Sequence, residues 1–143
     1  MKYNLIKLAK ILTYCGTLPL IGSLLFIQFA LSGIDIKIVA SAYSAIIISF
    51  LCGIHWAVYL FFTEKCPTNL LLSSNAIALL AWTSLLLEPL LVSKLLQVLC
   101  FIYLLSLDLK LRVAGVLPEW FFMLRRNATI IVVLCLLTML FVS

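Results

Sequence analysis

The side chains able to do chemistry in this sequence are few, and the most suggestive is its single histidine, His55. It lies in Ser49-Phe50-Leu51-Cys52-Gly53-Ile54-His55-Trp56, within a long apolar run. Cys52, His55 and Tyr59 are spaced three and four residues apart, so a helix would place them on one face. A histidine inside such a run is a candidate for relaying protons, holding a quinone headgroup, or helping to bind a metal or haem. The plainer use, and the first expectation, is a neutral imidazole making one interhelical hydrogen bond, with Gly53 admitting a close neighbour. A metal site is the weakest of these readings, because the cysteine spacing supplies no further ligand set.

Other candidates are scattered. Asn75 and Trp82 are seven residues apart and share a helix face, where the amide would need a partner in lipid. Packing at a helix interface is their expected role. Glu88 precedes Pro89 and is expected in a hairpin loop, with a buried proton-handling carboxylate as the rival. Arg112, Arg125 and Arg126 form a basic cluster suited to lipid headgroups. Glu119, after Pro118 and before Trp120, fits the first turn of a helix and could add a docking surface.

No Walker motif, dinucleotide glycine fingerprint, HExxH or GxSxG is present. Five cysteines occur without a CxxC pair, and four lie in apolar runs where cysteine acts as a small hydrophobe. A catalytic role is not expected, and no cofactor is predicted.

The elements that must carry these residues follow from composition. Apolar residues make up 66% of the chain and charged residues 10%. A soluble domain typically has about 45–50% and about 25%. The fold class expected is therefore all-α, a polytopic membrane helix bundle forming one integral membrane domain. Spanning helices are expected at about Ile11–Leu31, Val39–Phe62, Leu70–Leu87, Leu90–Leu107 and Pro118–Val142, each set by an apolar run and its breakers. Pro19 should kink the first. The rival for that run is a secretory signal peptide, since Ala30-Leu31-Ser32 before Gly33 resembles a cleavage site, but the run exceeds the usual length of about 7–15 residues. The weakest joint is Glu88-Pro89. A hairpin of two spans explains it, one span plus a re-entrant segment is the alternative, and Lys94 would snorkel to the interface.

Charge gives an orientation. With five spans, Lys2, Lys7, Lys10, Lys65, Lys110, Arg112, Arg125 and Arg126 fall on one side, and only Lys37 and Lys94 on the other. The positive-inside rule then puts the N-terminus in the cytoplasm and the C-terminus opposite. The net charge of +5 is spent at such boundaries. Membrane lipids, and other membrane proteins or a second copy, are the expected partners, and nucleic acid is not.

Three stretches carry a family resemblance: Gly16-Thr17-Leu18-Pro19, Tyr43 to Trp56 with its Ser49-Phe50 and Gly53-Ile54-His55-Trp56 elements, and Leu117 to Arg125. On these the chain resembles an uncharacterised, domain-of-unknown-function family of small multi-pass membrane proteins of bacterial inner membranes, with predicted mitochondrial relatives. Cys52 and Ala57 stand where many members are expected to have glycine. The resemblance implies one membrane domain and this topology, and no reaction. The functional expectation is a non-catalytic protein that associates with, or assists assembly of, other membrane proteins. The alternative is a small proton-linked transporter or channel, or a quinone- or haem-binding protein, using the His55 face.

Overall fold

A computed structural model describes residues 2–26 and 35–141. The described residues form six α-helices and no strand: α1 Lys2–Cys15, α2 Leu18–Phe26, α3 Ile36–Phe62, α4 Leu70–Ser84, α5 Leu90–Val113 and α6 Glu119–Phe141, with a 3-10 turn at Thr63–Lys65 after α3. The Ala30-Leu31-Ser32 segment lies outside the described residues.

Among the described residues, four segments are long and apolar enough to cross a membrane: Tyr3–Phe26, Ile36–Lys65, Leu90–Val113 and Glu119–Phe141. Helix α4 is apolar but has 15 residues. At 1.5 Å per residue that is about 22 Å, short of a hydrocarbon core of about 30 Å. The architecture is a bundle of about five apolar rods in which α3 and α5 are central. Helix α3 packs on α2, α4 and α5, and α6 packs on α5, α2 and α1.

Local chemistry sets the boundaries. The first rod starts nine residues earlier than the apolar run suggests and breaks between α1 and α2 at Gly16-Thr17. Pro19 lacks an N–H and its ring crowds the carbonyl four residues back, so the helix interrupts just before it. The Thr17 hydroxyl donates to the Tyr14 carbonyl at 2.8 Å across this break. Asp35 caps α3 by accepting from Lys37 N–H at 2.9 Å, which extends α3 three residues beyond expectation. Asn69 caps α4 by accepting from Leu71 and Leu72 N–H. Helix α4 ends at Ser84, three residues early, because Leu85 to Leu87 close as tight turns ahead of Pro89.

Helix α5 runs six residues past the expected Leu107. It ends at Gly115 (φ 75°) in a Schellman motif: Val116 N–H donates to Leu111 C=O at 2.9 Å, and Gly115 N–H to Arg112 C=O at 3.0 Å. Beyond the hairpin, Arg112 pairs with Glu119 at 2.8 Å and lies over the Phe122 ring. Both partners of that ion pair are exposed, so its contribution is small.

Each central helix buries one stripe. On α3 it is Ala40, Ser41, Ser44, Ala45, Ile48, Leu51, Cys52 and His55. The other face carries large exposed hydrophobics, including Phe50 at 69% and Phe61 at 80%. An apolar periphery of this extent suits lipid rather than water as the surrounding solvent.

Candidate functional site: a buried charged node

The stripe of α5 alternates apolar and polar levels. Gln97, Phe101, Leu104 and Asp108 follow one another at four, three and four residues, so they stack on one face. Asp108 is 2% exposed. A carboxylate there is tolerable only if it is paired and fully hydrogen-bonded.

Helices α3 and α6 supply the partners. His55 Nε2 lies 2.8 Å from Asp108 Oδ1. Arg125 donates from Nε to Asp108 Oδ2 at 3.1 Å, and its Nη2 is 3.1 Å from the same oxygen. All three residues are buried. One carboxylate thus ties three helices together: α3 through His55, α5 through Asp108 and α6 through Arg125.

The hydrogen-bond pattern assigns the imidazole proton. Asp108 already faces a guanidinium and is an acceptor, so Nε2 carries the hydrogen. Nδ1 is buried and without a hydrogen-bond partner among the described residues. The Asp108 carboxylate and the Arg125 guanidinium balance one another. In a low-dielectric interior that balance is what makes three ionisable groups sustainable together.

A second polar level lies further along the same two helices. Gln97 donates from Nε2 to Ser41 C=O at 3.0 Å, to Ser41 Oγ at 2.9 Å and to Ser84 Oγ at 2.9 Å. Ser41 and Ser93 hydroxyls are 3.2 Å apart. Ser84 in turn donates to Ala81 C=O. This level joins α3, α4 and α5 and contains no carboxylate. Between the two levels the core is Ile48, Leu51, Cys52, Phe101 and Leu104.

Several sequence expectations change. Arg125, expected at lipid headgroups, is buried against Asp108, because its phase on α6 turns it toward α5. Lys94, expected to snorkel, is 1% exposed, since it precedes Gln97 by three residues and points the same way. Gly53 does not mediate close packing: it is exposed, and a Cβ there would meet nothing within 4 Å. Cys52 is buried one turn from His55 in the apolar core, and Tyr59 is half-buried in a second apolar cluster with Leu70, Leu107 and Leu111. Neither joins the charged node. Asn75 and Trp82 both lie on the exposed face of α4. Glu88 is exposed in the turn before α5, and Glu119 is exposed beside Arg112. Asp108 and Gln97 were not among the sequence candidates; their three- and four-residue spacing through Phe101 and Leu104 was the available signal.

Among the described residues, no three His, Cys, Asp or Glu side chains converge as a metal site. Residues 5–141 match the family described as protein of unknown function, DUF3429. No curated protein and no solved structure matches the chain.

Proposed function

We propose, for a chain that belongs to the DUF3429 family of proteins of unknown function, that it is a non-catalytic integral membrane protein acting by association with other membrane proteins. Its bundle is the rigid part, fixed by the charged node, and the outer face of α4 is the part offered to a partner.

The observation that carries this reading is Asn75. It lies midway along α4, exposed, on a stripe with Leu72, Leu79, Trp82 and Leu86. Its side chain makes no hydrogen bond among the described residues. In hydrocarbon an amide gains by finding a partner on another helix, an effect of about 1–2 kcal/mol in model peptides. The shortness of α4 points the same way, since a neighbouring helix would shield its ends from lipid mismatch. A hydrated path along the His55 face would have to cross Ile48, Leu51, Phe101 and Leu104, which fill the space between the polar levels. That counts for association over transport.

The same reading keeps the N-terminus on the cytoplasmic side, because Lys65, Lys110, Arg112 and Arg126 flank the end of the bundle that holds the node, and takes a bacterial inner membrane from the family resemblance alone. The test is native purification in mild detergent of wild-type protein and Asn75→Leu, which keeps the volume and removes the amide. Retention of a copurifying membrane protein, or of a second copy, should fall about 5- to 30-fold in the variant, as expected for about 1–2 kcal/mol. Unchanged retention, or no membrane partner for the wild type, would overturn the reading.

A further inference from the structure

Arg125 faces two ways. One edge of its guanidinium, carrying Nε and Nη2, is turned to Asp108. The group is planar and its donors are fixed in a fork. Nη1 therefore points away from the carboxylate, and it makes no hydrogen bond among the described residues. Arg125 also lines a cavity of about 470 Å³. The volume lies within the range of small-molecule sites, about 300–1,000 Å³.

The walls are apolar and aromatic. Phe50 and Tyr43 come from α3, Phe101 from α5, and Phe121 from α6, while Gly16 and Thr17 contribute the break between α1 and α2. That break makes the wall concave. The Tyr43 hydroxyl fixes it by donating to Gly16 C=O at 2.8 Å. The Tyr3–Phe26 segment is the least buried of the four long ones, so the wall it forms is the one least held by packing.

We infer that this cavity binds a lipophilic molecule with a planar, uncharged carbonyl headgroup, of the quinone class, whose carbonyl accepts from Arg125 Nη1. Three features select that chemistry. The aromatic side chains offer faces and edges to a flat ring, an arrangement that adds to simple burial. The remaining wall suits an alkyl tail. The polar end offers a donor but no net charge, since Asp108 already balances Arg125. A carboxylate or phosphate would bring an unbalanced charge into a low-dielectric site, whereas a neutral carbonyl brings only an acceptor. This goes beyond association through α4 and does not depend on it, because the cavity lies between α1, α3, α5 and α6.

The experiment is equilibrium binding of decyl-substituted benzoquinone to the purified full chain in detergent, with decanoate as a probe of similar tail length and opposite headgroup. Wild-type protein should bind the quinone saturably at one per chain, and decanoate at least tenfold more weakly. Ile47→Trp and Ala128→Leu, which fill the cavity without touching the node, should abolish binding in protein that still elutes as a folded species. Arg125→Lys, which keeps a cation against Asp108 and loses the spare donor, should weaken the quinone about tenfold or more. Absence of saturable quinone binding, equal binding of decanoate, or unaltered binding by both filling variants would overturn the proposal.

Discussion

The two buried polar levels differ in one respect that organises the rest of the bundle. The level of Ser41, Ser84, Ser93 and Gln97 is built from neutral groups. A serine hydroxyl in a helix can fall back on a carbonyl of its own helix, as Ser84 does with Ala81. The level of His55, Asp108 and Arg125 is built from ionisable groups with no such retreat. A lost partner in the first level leaves a dipole to rearrange, while in the second it leaves an uncompensated charge. Both levels hang on α5, through Gln97 and Asp108, so one helix provides an internal comparison between neutral and ionic joints.

The largest effect should come from Asp108→Asn. It strands Arg125 as a buried cation, and breaking such a pair costs about 3–5 kcal/mol. Unfolding of the detergent-solubilised protein should shift by that amount. Replacing His55, Asp108 and Arg125 together by leucine should recover most of the loss, because no unpaired charge is left at the node. A triple variant as unstable as Asp108→Asn would show that the node is more than a matched set of charges. Gln97→Leu probes the neutral level and should cost less, about 1–2 kcal/mol, since Ser84 keeps the Ala81 carbonyl and Ser41 keeps the Ser93 hydroxyl. If Gln97→Leu matched Asp108→Asn, the distinction between the levels would fail.

The smallest effect is a control from outside both levels. Gly53→Ala adds a methyl into open space on a helix. It should be neutral or stabilise by up to about 1 kcal/mol through helix propensity alone. A clear destabilisation in folded protein would mean that a neighbouring helix reaches Gly53.

The parts of this structure that were legible in the sequence are those set by single-helix chemistry. Asn69, Pro89 and Pro118 act locally, so the starts of α4, α5 and α6 were placed to within a residue. His55 stood out because it is the sole histidine in an apolar run. Its partners did not, because their meaning depends on phase over long distances. Asp108 sits among Lys110 and Arg112, which makes the stretch read as an interface, yet it is three turns from Gln97 on the same stripe. Arg125 and Arg126 are adjacent and look alike; a rotation of about 100° buries the first and leaves the second half-exposed beside Asn127. Gly53 misled for the same reason, since a small residue states what a helix can do but not which way it faces.

The central claim is that Arg125 is held inside the bundle by Asp108 and does not reach out to lipid headgroups. A double-mutant cycle on Asp108→Asn and Arg125→Met, read as unfolding free energy in detergent, tests it directly. The account predicts that each single change is strongly destabilising and that the pair is far from additive, with a coupling of about 2–3 kcal/mol, as for residues in one buried network. Additive effects within about 0.5 kcal/mol, the behaviour of independent sites, would contradict it.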